Sequence, residues 1–226
     1  MPMQILPRYT HIVNNRLKHT YLTFDDEGSL IIKSPKVSQQ YIEKLILKKS
    51  AWINRARENI LKKKGKILNF SNPETLYFCG KEYNLTLKKH TKKRTKLTFV
   101  TEEFILYYSE YNEEVFQKHI NNFYKEEAKQ FIPVLIERWS EIMGVVPNKI
   151  SFRKTKRQWG SCSAKNDLSF NTMIMKLPPD VIQYIIVHEL AHIRHKHHQK
   201  SFWQEIEKYM PEYKQYVAEL KKYSTR

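Results

Sequence analysis

Two histidines and a glutamate stand at a spacing that can support metal chemistry. His188, Glu189 and His192 form the pattern His-Glu-x-x-His. On a helix, residues four apart lie one turn above each other on the same face, so His188 and His192 can hold one metal ion with Glu189 beside its open position. In zinc hydrolases with this pattern, the carboxylate is the general base for a water activated by the metal. The three residues predict a hydrolytic zinc site.

The flanking sequence predicts a buried helix that carries the motif. Residues 178–180 read Pro-Pro-Asp and supply a helix start, with Asp180 as the cap and Gln183 completing a capping box. Residues 181–193 are apolar on nearly every side, which is typical of a helix inside a core. Buried imidazoles and a buried carboxylate are costly unless something binds them, and a metal ion does so. The alternative, two core histidines bonded to backbone carbonyls, leaves Glu189 unexplained.

A catalytic zinc needs a third protein ligand and one open position. The candidates are His195, His197, His198, Glu205 and Glu207. His195 would lie about 10 Å from His188 along a straight helix, so it can join the site only if the helix has ended. His198 lies ten residues after His188, which leaves enough chain to turn back toward the site. For His195 and His197 we prefer the interpretation of a solvated basic run.

Composition narrows the class of protein. With 226 residues and 41% hydrophobic residues, the chain can build one domain or two small ones. No segment approaches eighteen uninterrupted apolar residues, and residues 1–4 open no signal peptide, so we expect no membrane association. Cys79 and Cys162 form no metal-binding pair, which fits a reducing compartment and predicts a cytoplasmic location.

Charge is the second prominent feature. The net charge is +17, and residues 88–96 hold six Lys or Arg residues and one His. The candidate anion contacts in this run are Lys88, Lys89, Lys92, Lys93, Arg94 and Lys96. A field of this sign attracts nucleic acid or nucleotides, and a run without interleaved aromatic residues would contact a phosphate backbone rather than bases. The alternative is a solvated loop.

Residues 1–110 predict a small basic α+β region. Residues 20–33 read as a hairpin with Gly28 in its turn, and Ser38 caps a helix whose apolar face includes Tyr41 and Trp52. Four short strands are predicted near residues 76–78, 83–87, 97–100 and 104–108.

Residues 111–226 predict a catalytic domain of the zincin-like α+β class, with the active-site helix packed on a small antiparallel sheet. A helix over residues 113–143 is interrupted by Pro133 and closed by Gly144. The predicted strands are 149–158 and 168–175. Charged outer positions make the first an edge strand, and its 152–158 edge can pair with an extended peptide. The candidate substrate contacts are Arg157, Trp159, Gly160, Ser161 and Asn171.

Several segments together resemble the YgjP-like metallopeptidase family, related to the SprT-like and WLM zinc proteases. The matching segments are 157–163 (RQWGSCS), 168–171 (LSFN), 177–178 (LP), 184–192 (YIIVHELAH), 198–203 (HQKSFW) and 211–214 (PEYK). The front half matches more loosely, through 51–53 (AWI) and 77–83 (YFCGKEY). The W-G-S-C-S loop, the H-E-L-A-H and the later H-x-x-x-F-W are together far more specific than His-Glu-x-x-His alone.

The resemblance implies a zincin-type catalytic domain that uses Zn²⁺ and cleaves polypeptides. It also implies that His198 is the third ligand. Metzincins share this spacing but carry Gly where this chain has His195, which argues against that group. Two alternatives stay open: a metal-dependent nucleotide phosphohydrolase that uses the same site, and a nucleic-acid-binding module with a structural zinc.

Overall fold

This computed structural model describes residues 6–25, 28–62, 68, 70 and 74–225. The fold is of the predicted α+β class, with helices and small mixed sheets. The chain divides into two compact units, Met1–Lys63 and Lys64–Arg226. The predicted boundary after residue 110 falls inside the second unit, where Phe104 shares one hydrophobic core with Ile120 and Val187.

The first unit consists of a three-stranded sheet and one helix. Its elements are β1 (Tyr9–Val13), β2 (Tyr21–Phe24), β3 (Leu30–Ser34) and α1 (Gln39–Leu61). Strand β3 is central and pairs parallel with β1 and antiparallel with β2. The predicted β2–β3 hairpin is confirmed, and Gly28 in its turn has a φ of +78°. The side chain of Ser38 caps α1 by accepting from the Tyr41 N–H.

Helix α1 buries a different face from the predicted one. Ile42, Ile46 and Ile53 are buried against the sheet, whereas Tyr41 and Trp52 are exposed. The prediction was wrong by one position, or about 100° around the helix, because apolar residues occupy both faces. The branched isoleucines face the sheet, and the larger aromatic rings lie at the edge of this core.

The second unit holds the His-Glu-x-x-His motif. Its elements are β4 (Glu74–Phe78), β5 (Lys81–Lys89), β6 (Lys96–Val100), β7 (Glu103–Tyr108), α2 (Glu113–Met143), β8 (Lys149–Arg153), β9 (Gly160–Cys162), β10 (Asp167–Asn171), a 3₁₀ helix (Thr172–Lys176), α3 (Pro179–Arg194), α4 (Lys200–Tyr209) and α5 (Tyr213–Leu220). The four predicted strands between residues 76 and 108 are confirmed as β4 to β7, in the order β4-β5-β7-β6.

Helix α2 is the support against which the motif helix packs. It begins after Asn112, whose side chain accepts from the Val115 N–H, and ends at Gly144 with a φ of +61°. Pro133 lies inside the helix and does not split it into two. Every fourth residue along much of its length is buried: Phe116, Ile120, Tyr124, Ala128, Ile132 and Ile136. This side contacts the 3₁₀ helix, α3 and β8.

The small sheet beside α3 has the order β8-β10-β9. Strand β10 pairs parallel with β8 and antiparallel with β9, so the sheet is mixed where an antiparallel one was predicted. Residues 154–166 supply the long connection that a parallel pair requires, and β9 lies within it. The predicted strand 149–158 ends at Arg153. The strand predicted to reach Met175 ends at Asn171, whose side chain accepts from the Met173 N–H and starts the 3₁₀ helix.

Among the described residues, no helix has the length and apolar character needed to cross a membrane.

Candidate metal centre

Helix α3 buries Glu189 in the second unit and leaves His188 and His192 half-buried. It contacts α2, β9, α4 and α5, which explains why its sequence is apolar on nearly every side. The helix begins at Pro179, and the predicted capping box of Asp180 and Gln183 is not formed, because Pro178 is the cap residue and makes no side-chain cap bond. The Gln183 side chain instead accepts from the indole N–H of Trp139 on α2.

The chain reverses directly after α3 and returns His198 to the motif. Helix α3 ends at Arg194, and His195 is extended, with φ −124° and ψ 98°. The His195 carbonyl accepts a hydrogen bond from His192 Nδ1 at 2.8 Å. The indole N–H of Trp203 donates to the His198 carbonyl at 3.0 Å and fixes the returning segment.

Three imidazoles converge on one point. His198 Nε2 lies 3.1 Å from His192 Nε2 and 3.2 Å from His188 Nε2. Two nitrogens bound to one tetrahedral zinc lie about 3.3 Å apart, since Zn–N bonds are about 2.0–2.1 Å. The three side chains could therefore hold a metal ion without rearrangement, and they are a group whose ligand atoms all lie within 4.8 Å of one another.

The surroundings of His188 and His192 favour their neutral forms. Burial, followed by the neighbouring His192 and His198, lowers the pKa of His188 to about 3. Burial also lowers the pKa of His192. The bond from His192 Nδ1 to the His195 carbonyl requires a proton on Nδ1 and leaves Nε2 with a free lone pair. Neutral imidazole nitrogens are the form that binds metals.

A single aromatic ring supports all three histidines from α4. Phe202 has no exposed surface, and its ring centroid lies 4.5 Å from that of His192, 4.8 Å from that of His198 and 4.9 Å from that of His188. Contact on one side limits each imidazole to few orientations. The aromatic residue of the H-x-x-x-F-W segment thus fixes the directions of the candidate ligands.

Glu189 lies between the histidine cluster and strand β9. Only 6% of its surface is exposed, and burial raises the pKa of its carboxyl to about 8. A bound cation nearby would favour the charged form and lower that pKa. A Cβ atom placed on Gly160 would lie 2.7 Å from both Cγ and Oε1 of Glu189. The β9 backbone therefore approaches Glu189 so closely that it leaves no room for a side chain at position 160.

A cleft of about 270 Å³ joins these groups. It is lined by Gln158, Gly160, Ser161, Cys162, Glu189, His192, Lys196 and His198. Strand β9 is at the edge of its sheet, so one side of its backbone has no strand partner among the described residues. The cleft therefore combines an available strand edge, a buried carboxylate and a histidine cluster.

The predicted substrate contacts separate into two groups. Gly160 and Ser161 line the cleft. Arg157 is exposed and Trp159 is half-buried, and neither lines it. Strand β8 stops at Arg153, so most of the predicted peptide-pairing edge over 152–158 is not strand, and the strand edge at the cleft belongs to β9.

Asn171 serves the protein's own backbone. It is 1% exposed, and its Nδ2 lies within hydrogen-bonding distance of the Thr155 and Gln158 carbonyls and of the Thr225 carbonyl. These contacts hold the segment that leads into β9. Asn171 is thus a residue that positions the rim of the cleft, and its side chain is already engaged.

Lys196 has a structural role that its sequence context did not predict. Its Nζ donates to the Ser163 carbonyl at 2.9 Å and to Asn166 Oδ1 at 2.6 Å, and lies 3.5 Å from Cys162 Sγ. These bonds tie the end of β9 to the segment after α3. No local pattern marks a lysine whose acceptors lie about thirty positions earlier in the chain.

The six predicted anion contacts lie away from the residues that line the cleft. Lys88 and Lys89 end β5, Lys96 begins β6, and the others lie in the loop between these strands. All six side chains are exposed.

Comparison with known proteins identifies the family of this chain. The family model described as "YgjP-like, metallopeptidase domain" matches residues 18–223. A metal-dependent hydrolase is the class that this match defines. The chain belongs to the YgjP-like metallopeptidase family, as its sequence segments predicted.

Two solved structures show local similarity. The metallopeptidase zymogen abylysin of Pyrococcus abyssi is 27% identical over 40% of this chain and 91% of its own, with a TM-score of 0.38. The metallopeptidase zymogen jannalysin of Methanocaldococcus jannaschii is 22% identical over 39% of this chain and 92% of its own, with a TM-score of 0.36. No curated protein matches the chain.

Proposed function

We propose that the protein is a zinc peptidase in which His188, His192 and His198 hold one Zn²⁺ and Glu189 is the general base. The observation that carries the proposal is the convergence of three imidazole Nε2 atoms beside a buried carboxylate in an open cleft. Three imidazole ligands with one open position are typical of catalytic zinc. When bound, zinc supplies a Lewis acid that polarises a carbonyl group and lowers the pKa of water.

Glu189 would move the proton. Its carboxylate lies at the cleft beside His192, so it can take a proton from the attacking water and pass it to the amine nitrogen that leaves. Burial raises the pKa of this carboxyl, and a bound cation would lower it again toward the charged form that accepts a proton.

Strand β9 would align the substrate. An extended peptide can add to an available strand edge through main-chain hydrogen bonds, and the Gly160–Cys162 edge lines the same cleft as Glu189. This edge takes the role that the sequence analysis gave to residues 152–158. The hydrogen bonds from Lys196 to the Ser163 carbonyl and from Asn171 to the Gln158 carbonyl hold the two ends of this edge. They would fix its distance from the histidine cluster.

Metal removal tests the function as a whole. Protein stripped by a chelator is expected to lose cleavage of a fluorogenic unfolded polypeptide, and one equivalent of Zn²⁺ per chain is expected to restore it. Hydrolysis by the metal-free protein at the same rate would contradict the proposal.

A second measurement tests the third ligand. We expect His198→Ala to weaken zinc binding by more than about 100-fold, since loss of outer-shell partners alone costs 10–100-fold. Zinc content by mass spectrometry and titration with a zinc indicator would measure the change. His195→Ala is the matched control, because it removes a neighbouring imidazole outside the cluster. Unchanged affinity in His198→Ala would assign the ligand elsewhere; Glu205 is already paired with Arg194.

The nucleotide alternative has weaker support from the cleft. Among the described residues that line it, Lys196 alone is a Lys or Arg, and its Nζ is already bonded to Ser163 and Asn166. Nucleotide triphosphates are usually held by several cations. The alternative would replace ours if phosphate release needed both Glu189 and zinc while no unfolded polypeptide was cleaved.

The structural-zinc alternative also has weaker support. Structural sites are usually closed by four ligands, whereas the cluster here has three histidines beside a cleft. A cytoplasmic location stays part of the proposal, supported by Cys79 and Cys162 being free thiols.

A further inference from the structure

The strand register places an aromatic residue between two lysines on one face of the β4–β7 sheet. Tyr107 on β7 pairs with Lys88 on β5 and with Lys96 on β6. Directly paired residues point to the same face of a sheet, so these three side chains form one row across it. The adjacent row, Leu87, Leu106 and Leu97, packs into the core. The row of Lys88, Tyr107 and Lys96 therefore lies on the opposite face.

The loop after β5 adds an imidazole to this row. The His90 N–H donates to the Tyr108 carbonyl at 2.8 Å, which ties the loop to the end of β7. The His90 ring centroid lies 6.0 Å from that of Tyr107, and His90 Nδ1 accepts from the Lys92 N–H at 2.8 Å. The imidazole is thus held beside the tyrosine, at the base of the loop that carries Lys92, Lys93 and Arg94.

The cations of this surface have no acidic partners in the described part of the chain. The ion pairs there involve Lys62, Lys129, Arg194 and Lys222. The nearest acids in sequence to Tyr107 are Glu110, which is exposed three positions after it, and Glu103, which is about 13 Å away along β7 at 3.3 Å per residue and accepts from the Thr86 hydroxyl. Within the described residues, neither forms an ion pair with a cation of this surface. The positive charge is therefore concentrated at one end of the sheet and available to an external anion.

We propose that this surface, the β5–β6 basic patch (Lys88, Lys89, His90, Lys92, Lys93, Arg94, Lys96 and Tyr107), binds single-stranded nucleic acid. Cations that follow a phosphate backbone next to aromatic rings on which bases stack are the combination that single strands require. The Tyr107 and His90 rings would stack with bases, which in a duplex are already stacked on each other. The charged run alone predicted contact with a phosphate backbone only, because Tyr107 lies outside that run and joins the lysines through the sheet.

Other anionic partners fit the patch less well. Surfaces that bind membranes combine cations with apolar side chains that insert among the lipids. The loop residues 90–95 read His-Thr-Lys-Lys-Arg-Thr and contain no such side chain. An acidic protein would use the charges but gain nothing from an aromatic ring between two lysines. The proposal does not depend on the metal centre.

Fluorescence polarisation with a labelled 20-nucleotide oligothymidylate and the zinc-loaded full chain tests the proposal. We expect binding at 50 mM KCl that weakens linearly on a log–log salt plot. Each phosphate contact in a single strand contributes about 0.7 to the slope, so replacing Lys92, Lys93 and Arg94 by Ala is expected to flatten it by about 2. The matched control replaces Lys44, Lys48 and Lys49, which are exposed on α1, and removes the same charge.

Substitutions of Tyr107 test the proposed stacking, because they change the aromatic ring without changing the charge of the patch. We expect Tyr107→Leu to weaken binding by about fivefold or more at constant salt slope, and Tyr107→Phe to restore it. Tyr41→Leu, at an exposed position on α1, is the control. If circular dichroism shows that Tyr107→Leu is unfolded, the double variant Lys88→Ala, Lys96→Ala tests the same row through exposed side chains.

Four outcomes would overturn the proposal. They are no binding at 50 mM KCl, equal loss of affinity in the α1 lysine control, wild-type affinity in Tyr107→Leu, and equal affinity for polyglutamate or for phosphatidylserine vesicles. Glu189→Gln is expected to bind the oligonucleotide as the wild type does, which separates this surface from the proposed peptidase.

Discussion

Gly160→Ala is expected to reduce peptide hydrolysis by about 100-fold while leaving one zinc per chain, because displacement of a catalytic group by about 1 Å costs on that order. The added Cβ would lie 2.7 Å from Cγ and Oε1 of Glu189 and 2.9 Å from its Cδ. Either Glu189 must turn away or β9 must move. The three atoms nearest the new methyl group all belong to Glu189 and none to a histidine, so metal affinity is expected to stay unchanged.

The matched control for this variant is Ser161→Ala, one position along the same strand. Ser161 lines the cleft, and the alanine adds no atom near Glu189. We expect that control to retain hydrolysis within a few-fold. Zinc content, circular dichroism and kcat/KM on one fluorogenic polypeptide would be measured for both proteins. A fully active Gly160→Ala protein would show that Glu189 does not need the position described here.

Glu189→Gln is expected to lower kcat by about 10²- to 10⁴-fold, the range that general acid–base catalysis contributes. The amide has nearly the same volume and suits the buried site, since it carries no charge. It cannot accept a proton from water at neutral pH. We expect zinc stoichiometry and the thermal unfolding midpoint to be retained, so that the loss is one of chemistry.

A comparison of kcat with KM separates a role of Glu189 in proton transfer from a role in substrate binding. A fall in kcat with little change in KM is expected for Glu189→Gln, because the glutamine still fills the site. Glu205→Gln, which alters an acid paired with Arg194 outside the cleft, is the control for loss of a carboxylate in the same unit. Wild-type turnover in Glu189→Gln would assign the base to another group.

The core of the candidate site was predictable because its geometry is local. The four-residue spacing of His188 and His192 fixes their common face on any helix, and Glu189 follows from the motif. The structure brings these side chains together with His198, for which the family resemblance and a chain reversal both argued. Their roles stay predictions until metal and activity are measured.

The surroundings of the site depended on contacts that no local pattern carries. Gly160 touches Glu189 across 29 positions of sequence, and Lys196 meets Ser163 across 33. Asn171 was predicted as a substrate contact, yet its amide donates to the backbone of its own chain. Such pairings depend on how the small sheet packs beside α3.

The fold followed the same rule. Alternating apolar residues predicted β4 to β7 and the β2–β3 hairpin, because successive side chains of a strand point to opposite faces of the sheet. Alternation could not show where β8 ends or that three residues of a predicted loop form β9. The segment after Asn171 continues as a 3₁₀ helix because an asparagine side chain turns it, a contact that apolar patterning does not record.

The hydrogen bond that orients His192 ends on a main-chain carbonyl, and this determines which substitutions the chain can accept beside the proposed metal ligands. Many zinc histidines are supported by a carboxylate side chain, which a single mutation can remove. Here nearly any residue at position 195 would supply the same acceptor, so its side chain is free to diverge. Proline is the exception, because the His195 N–H bonds to the Ala191 carbonyl and its φ of −124° lies outside the range of a proline ring.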